Sequence, residues 1–201
     1  MEWYESEVAD LERRLHEQPP SPGAVLFYGS SSIRLWTSAA ADLDEPRLVN
    51  AGFGGSTLEA CAWYFDRLVA PWKPSVLTLY AGDNDLGDGQ SVERTLLFFD
   101  AFLWRFGLRC PHTRLAVLSV KPSPARSHLQ KSIARVNRGI AQRLAAMPDA
   151  VYVDVHGPML DRNGDPRPEL YAADGLHLSP AGYDLWTQIL RARRDEIFTV
   201  S

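Results

Sequence analysis

The stretch Ala24-Val25-Leu26-Phe27-Tyr28-Gly29-Ser30-Ser31-Ser32 decides the fold, because it is a short apolar run that ends at a glycine and three serines. Such a run predicts a strand buried on both faces, as in a parallel sheet. Four more runs share this apolar character: 47–50, 75–81, 114–120 and 150–155. Other segments have the apolar spacing of helices: 32–41, 56–70, 91–106, 128–146 and 180–197.

The alternation of strands with helices predicts an α/β fold, a three-layer α/β/α sandwich around a five-stranded parallel sheet. The length of 201 residues is that expected of a single domain, residues 1–201. Within it, residues 1–18 predict an additional amphipathic N-terminal helix. Residues 19–23, rich in proline, predict a short stiff connector into the first strand.

Composition and charge exclude several classes of protein. The chain has 21 Lys and Arg against 25 Asp and Glu, a formal net charge of −4, and its basic residues are scattered, so we expect no nucleic-acid partner. The acidic N-terminus and the lack of an apolar run of about 20 residues predict no membrane insertion and a cytoplasmic protein. Cys61 and Cys110 are too few for a disulfide framework and are predicted to be reduced and buried.

Polar or glycine-rich segments follow three of the predicted strands, where an open parallel sheet binds its ligands. They are Gly29 to Ser32, Asn50 to Thr57 and Gly82 to Asp85. In the first segment, a serine in a first helical turn would lie beside backbone N–H groups that favour negative charge. In the second, glycines let a backbone N–H approach a substrate. In the third, an asparagine amide can donate to an oxyanion. Taken singly, each segment also fits a helix cap, a plain turn or an Asx turn.

A carboxylate and an imidazole stand three residues apart in Asp174-Gly175-Leu176-His177. In acyl transfer, His177 would take the proton of a serine hydroxyl as general base, and Asp174 would hold the imidazole in the correct tautomer. His156, which follows the fifth predicted strand, is interpreted as a capping or packing residue. Together with the serines after the first strand, the pair predicts a serine hydrolase.

These segments, in this order, resemble the sequence blocks of the SGNH hydrolase superfamily, also called GDSL esterases, and the resemblance spans residues 27–177. It implies the flavodoxin-like SGNH hydrolase fold. By analogy with the family, Ser31 is the nucleophile, His177 the base and Asp174 its partner. The implied oxyanion donors are the N–H groups of Ser31 and Gly55 and the side-chain amide of Asn84.

The first block departs from the family's Gly-Asp-Ser pattern, because Ser30 stands where the aspartate is usual. The third position of that motif selects Ser31 as nucleophile over Ser30 and Ser32. We expect catalysis to survive the change, since the implied triad is complete without that carboxylate.

The resemblance implies a carboxylic ester hydrolase. The compact size and the lack of a membrane-binding helix or a lid in the sequence favour a small-molecule ester, with a short acyl group such as acetyl on a small or carbohydrate-like alcohol. An acyltransferase, a thioesterase, a lysophospholipase or an acetylhydrolase of platelet-activating factor would use the same residues, and a noncatalytic binding module is a further alternative. The sequence does not predict the acyl and alcohol specificity or the oligomeric state.

The chemistry requires no metal and no cofactor. The segment Asp161 to Pro166 begins like a calcium loop but has Pro166 where glycine is needed, so it is interpreted as a turn. Lys121 and Arg126, after the fourth predicted strand, are expected to be solvated, with binding of an anionic leaving group, such as a phosphate or carboxylate, as the alternative. Five aromatic residues near strand ends are interpreted as core residues rather than pocket walls: Tyr28, Trp36, Phe53, Tyr80 and Tyr171.

Overall fold

The computed structural model describes residues 1–199. Their strands are β1 (Val25–Gly29), β2 (Leu48–Gly52), β3 (Val76–Tyr80), β4 (Arg114–Leu118) and β5 (Ala150–Val153). All pairs are parallel and the order is β2-β1-β3-β4-β5, which is the flavodoxin-like order. The predicted α/β fold with a five-stranded parallel sheet is therefore confirmed.

Helices precede, separate and follow the strands. They are α1 (Glu2–Glu17), α2 (Ser31–Arg34), α3 (Ala39–Asp42), α4 (Leu58–Trp63), α5 (Phe65–Leu68), α6 (Asp83–Gly87), α7 (Val92–Arg109), α8 (Gln130–Leu144), α9 (Pro180–Ala192) and α10 (Arg194–Phe198). Short 3₁₀ turns lie at Ala70–Trp72, Pro124–Leu129, Gly157–Met159 and Pro168–Leu170. Within residues 1–199, no helix is both long enough and apolar enough to cross a membrane.

Apolar side chains fill both faces of the sheet, because successive residues of a strand point to opposite sides. In β1, Leu26 and Tyr28 belong to a core formed with α1, α4, α5, α7 and α8. Val25 and Phe27 belong to a second core formed with α2, α3, α9 and α10. Cys61 and Cys110 are buried and free, as predicted.

Three predicted helices are broken into shorter pieces. The segment 32–41 is divided into α2 and α3, because the Asn50 side-chain amide donates to the carbonyls of Ile33 and Trp36, at 2.6 and 3.3 Å, and satisfies acceptors at the end of α2. The segment 56–70 is divided into α4, α5 and a 3₁₀ turn. The segment 180–197 is interrupted at Arg193, whose φ of −117° is not helical.

The parallel register aligns the carboxyl ends of the central strands. Gly29 at the end of β1 pairs with Gly52 of β2 on one side and Tyr80 of β3 on the other. The segments that follow these residues therefore leave the sheet at the same edge. This alignment positions the candidate site.

Candidate active site

The turn after β1 presents Ser31 at the sheet edge. Gly29 has φ +133°, and a Cβ on it would lie 1.9 Å from the Tyr80 carbonyl oxygen, so the close approach of the two strands requires glycine here. The next residue, Ser30, donates its N–H to that carbonyl at 2.9 Å. Ser30 is the N-cap of α2, and Ser31 is the first residue of the helix. The Ser31 N–H is therefore among the groups that have no partner within the helix.

A line of hydrogen-bonding atoms connects Ser31 with His177 and Asp174. His177 Nε2 lies 3.2 Å from Ser31 Oγ, although the two residues are 146 positions apart. His177 Nδ1 lies 2.6 Å from Asp174 Oδ2. A hydroxyl, an imidazole and a carboxylate joined in this order are the arrangement that activates a serine as a nucleophile.

Asp174 is held so that its carboxylate orients the imidazole. Its Oδ1 accepts the N–H groups of Leu176 and His177 at 2.9 and 3.0 Å. The bond from the His177 side chain, followed by these two backbone bonds, lowers the pKa of Asp174 to about 2. The group is therefore ionised at neutral pH and able to stabilise an imidazolium.

Two bonds fix the side-chain amide of Asn84. Its Nδ2 donates to the Ser56 carbonyl at 3.1 Å, and its Oδ1 accepts from Arg126 at 3.1 Å. A guanidinium only donates, so the oxygen of the amide must face Arg126 and the nitrogen must face Ser56. Among the described residues, Nδ2 has no second acceptor, so its other N–H can donate to a ligand.

Gly55 lies in the turn after β2, next to the residue that Asn84 holds. Among residues 1–199, the structure records no acceptor for the Gly55 N–H. The Gly55 carbonyl accepts the Tyr4 hydroxyl at 3.1 Å. The two predicted oxyanion segments are thus joined, because Ser56, directly after Gly55, accepts from Asn84.

The expectation that Lys121 and Arg126 are solvated is wrong. Lys121 is 2% exposed, and its Nζ lies 3.2 Å from the buried carboxylate of Asp83. Arg126 donates to the Asp83 carbonyl oxygen at 2.7 Å as well as to Asn84. Burial raises the pKa of Asp83, but the two cations outweigh it and leave the pKa below its usual value. Both cations therefore bind the segment that begins α6 and hold it in place.

Ser30, at the position of the family's aspartate, is 1% exposed, and its Oγ has no hydrogen-bond partner among the described residues. The hydroxyl does not act as a side-chain cap for α2. In this turn Ser30 contributes backbone groups, and its side chain is separate from the Ser31, His177 and Asp174 line.

The remaining predictions about individual residues concern packing. The aromatic residues interpreted as core are buried: Tyr28, Trp36, Phe53, Tyr80 and Tyr171. The backbone N–H of His156 donates to Ser119 Oγ and Asp154 Oδ1 at the end of β5. Burial of the imidazole there lowers its pKa.

No group of three His, Cys, Asp or Glu suited to a metal ion occurs in the part of the chain that the structure describes. The predicted turn at 161–166 is present. It is closed by Asp161 Oδ1, which accepts the N–H groups of Asn163 and Asp165 at 2.8 and 2.9 Å.

Sequence reasoning missed the residues that hold the site from outside its motifs. Tyr4 and Glu7 of α1 contact the turn after β2, the latter through a 3.0 Å bond from the Gly54 N–H. No sequence signal marks them, because an amphipathic helix is equally compatible with other packing directions. The sequence marks Arg126 only as a cation, because its bond to Asn84 joins residues 42 positions apart.

The sequence matches the model of the GDSL-like lipase/acylhydrolase family over residues 23–185. A comparison with curated proteins found no match. Among solved structures, the chain is similar to a Streptococcus pneumonia protein whose name refers to platelet activating factor, with 23% identity and a TM-score of 0.81 over 95% of this chain and 94% of that one.

Two similar structures are those of carbohydrate-acting enzymes. The family 3 carbohydrate esterase of Clostridium thermocellum is 19% identical, with a TM-score of 0.68 over 87% of this chain and 96% of that one. The acetyl xylan esterase AlAXEase is 18% identical, with a TM-score of 0.67 over 84% and 98% of the two chains. At these identities the likeness shows the fold alone.

Proposed function

The chain belongs to the GDSL-like lipase/acylhydrolase family, and on that premise we propose that it is a serine esterase that cleaves short-acyl carboxylic esters. The observation that carries the proposal is the line from Ser31 Oγ through His177 to Asp174, with separations of 3.2 and 2.6 Å. A line of this kind serves no evident packing purpose, since the His177 and Asp174 side chains are 35% and 48% exposed.

In the first half of the reaction, Ser31 Oγ attacks the ester carbonyl carbon while His177 Nε2 takes the hydroxyl proton. The carbonyl oxygen becomes an oxyanion, which the N–H groups of Ser31 and Gly55 and the amide of Asn84 stabilise. Asp174 stays ionised and stabilises the imidazolium. When the tetrahedral intermediate collapses, the C–O bond to the alcohol breaks, and His177 returns the proton to the leaving oxygen.

In the second half, a water molecule replaces the alcohol. His177 takes a proton from the water as its oxygen attacks the acyl carbon bonded to Ser31 Oγ. The same donors stabilise the second oxyanion. Collapse breaks the bond to Oγ, which recovers the proton from His177, and releases the carboxylic acid.

Two observations favour a short acyl group on a small or carbohydrate-like alcohol. The aromatic side chains near the strand ends, among them Tyr28, Phe53 and Tyr80, are buried in the core and offer no wall to a long acyl chain. Two proteins of the same fold are named as a carbohydrate esterase and an acetyl xylan esterase. Acetylated sugars are therefore the first substrates to try.

The proposal is tested by hydrolysis of aryl esters with acyl chains from acetyl to decanoyl. We expect the highest kcat/KM for the shortest chains. Ser31→Ala should abolish turnover, and Asn84→Ala should lower kcat by about 10²- to 10³-fold because one oxyanion donor is lost. A Ser31→Ala protein that keeps the wild-type rate would refute the proposal.

An acyltransferase would use the same residues, with a sugar or other alcohol in place of water. Product analysis in the presence of a competing acceptor alcohol separates the two activities. We expect free acid to be the main product, and a dominant transfer product would assign the chain to acyl transfer. Cleavage of thioesters or lysophospholipids in preference to short esters would identify the other two alternatives in the same assay.

A further inference from the structure

Helix α1 lies outside the residues that match the family model, which begin at residue 23. One face of the helix packs on the core through Val8, Leu11 and Leu15. Tyr4 and Glu7 instead contact the turn after β2. This turn carries Gly55, whose N–H is one of the proposed oxyanion donors.

The two contacts hold the turn on both sides of that donor. The Gly54 N–H donates to Glu7 Oε1 at 3.0 Å, and the Gly55 carbonyl accepts the Tyr4 hydroxyl at 3.1 Å. These groups belong to the peptide units before and after the one that contains the Gly55 N–H. Because two flanking peptide planes are fixed, the direction of the N–H between them is restricted.

Glu7 also links the turn to the helix that begins with Ser31. Its Oε1 lies 3.4 Å from Arg34 Nε, and Arg34 is the last residue of α2. A Cβ on Gly54 would lie 3.1 Å from Glu7 Oε2 and 3.3 Å from Arg34 Nε, so the turn packs directly against this ion pair. One carboxylate thus contacts both the nucleophile helix and the oxyanion turn.

The Tyr4 ring is fixed by its neighbours. It packs edge-on against Phe53, with ring centroids 5.6 Å apart, and lies near Tyr64 at 6.4 Å. Phe53 precedes Gly54 and is fully buried. The Tyr4 ring therefore has little freedom to move, and its hydroxyl is held at the Gly55 carbonyl.

We propose that Glu7 and Tyr4 are positioning residues, which orient the Gly55 N–H toward the oxyanion by holding the peptide units on either side of it. This rests on the proposed function, in which Gly55 is an oxyanion donor. In this proposal both residues act through the turn and not by contact with the substrate. Their loss should therefore lower kcat and leave KM nearly unchanged, because the donor acts on charge that develops only in the transition state.

The test compares Glu7→Ala, Glu7→Gln and Tyr4→Phe in the full chain, with a short aryl ester as substrate. For Glu7→Ala we expect a decrease in kcat of about tenfold, smaller than the cost of deleting an oxyanion donor outright, and a KM within about twofold of the wild type. Glu7→Gln keeps an oxygen acceptor for the Gly54 N–H and should restore most of the lost kcat. Tyr4→Phe keeps the ring and should lower kcat by about threefold, the effect of one weak hydrogen bond.

Glu12→Ala is the matched control, because Glu12 lies on the same helix and pairs with Arg67 at 2.7 Å, away from the turn. If α1 acted only through general stability, this variant would lower kcat as much as Glu7→Ala. We expect its kcat to match the wild type. Equal losses in the two variants would overturn the proposal.

A second measurement does not depend on turnover. In ¹⁵N relaxation experiments, the Gly55 amide should become more mobile in Glu7→Ala than in the wild type, and it should be unchanged in Glu12→Ala. If the wild-type protein hydrolyses no ester, the proposed function fails, and this measurement still decides whether Glu7 holds the turn. An unchanged Gly55 amide in Glu7→Ala, or a wild-type kcat in that variant, overturns the proposal.

Discussion

Ser31 differs from its neighbouring serines in what its side chain contacts. Its Oγ lies within hydrogen-bonding distance of His177, whereas the Oγ of Ser30 is buried without a partner among the described residues. The family pattern already selects Ser31 by position. The structure brings it to the imidazole because β1 ends at a glycine that lets the next turn pack against the Tyr80 carbonyl.

Because the Ser30 hydroxyl has no partner among the described residues, we expect Ser30→Ala to have little effect on the free energy of unfolding. A buried hydroxyl with no partner has lost its hydration and gained no bond, which is unfavourable by about 1–3 kcal/mol. Removing it in Ser30→Ala leaves a small gap, so we expect the free energy of unfolding to stay within about 1 kcal/mol of the wild type or to rise. Urea denaturation measures this change. A larger loss of stability would mean that Ser30 Oγ has a partner.

Because Arg126 fixes the amide of Asn84, we expect substitutions of these two residues to have coupled effects on kcat. In Arg126→Ala the amide keeps only its bond to the Ser56 carbonyl and is held less tightly. We therefore expect kcat to fall by about tenfold, less than the 10²- to 10³-fold loss expected when the donor itself is removed. In an Asn84→Ala background the same substitution should have little further effect, since there is no amide left to orient. Four kinetic measurements form this double-mutant cycle. Fully multiplicative losses would show that Arg126 acts elsewhere.

At the scale of elements, the segment after β4 connects two parts of the site. Arg126 holds Asn84 at the start of α6, and the Ala125 N–H donates to the Gly175 carbonyl at 3.1 Å in the loop that carries Asp174 and His177. Tyr171 strengthens the connection by donating its hydroxyl to the Pro122 carbonyl at 2.6 Å. Sequence periodicity predicted the strand and the helix around this segment, but not these contacts, because they depend on residues far away in the chain.

The contact of Asp85 with the start of α4 predicts that the stability of the protein depends on pH. This carboxylate is 1% exposed and accepts the Leu58 N–H at the start of α4, at 3.1 and 3.0 Å. Burial, opposed by that backbone bond, raises the pKa of Asp85 to about 7. The unfolded chain releases this proton near pH 4, whereas the folded chain keeps it to about pH 7. The contribution of Asp85 to stability therefore falls as the pH rises from about 4 to about 7, and it is constant above pH 7.

Urea denaturation of the wild type and Asp85→Asn at pH 5 and pH 8 measures this effect. The asparagine still offers an oxygen to Leu58 but does not titrate. We expect the stability of the wild type relative to the variant to fall from pH 5 to pH 8 by on the order of 2 kcal/mol. Asp88→Asn, at an exposed position just after α6, is the control. A relative stability that rises with pH would contradict the raised pKa.

At the scale of the whole molecule, the strand register brings distant segments to one edge of the sheet. Gly29, Gly52 and Tyr80 end three adjacent strands in register, and Ser31, Gly55 and Asn84 lie shortly after them. The apolar runs were sufficient to predict this sheet, since each of them overlaps one of its five strands. They did not predict that α1 closes over the turn after β2, because its apolar face specifies burial but not a docking site.

The position of α1 also explains why the site was only partly predictable. Motifs identify candidate residues for the reaction itself, and the sequence predicts five of them: Ser31, Gly55, Asn84, Asp174 and His177. Glu7 and Arg126 act through other residues, so their types follow from the local geometry and not from the chemistry of the reaction. Side chains of this kind are found only when the contacts between distant segments are known.

The most direct test of the esterase mechanism is the reaction of the intact protein with a fluorophosphonate, followed by mass mapping of the adduct. A fluorophosphonate phosphonylates a serine that an adjacent imidazole activates, so the wild type should carry one adduct, on Ser31. Ser30→Ala should be labelled as the wild type is, and His177→Ala should react at least about 10²-fold more slowly. An unlabelled wild-type protein, or an adduct on Ser30 or Ser32 in place of Ser31, would contradict the assignment of Ser31 as the nucleophile.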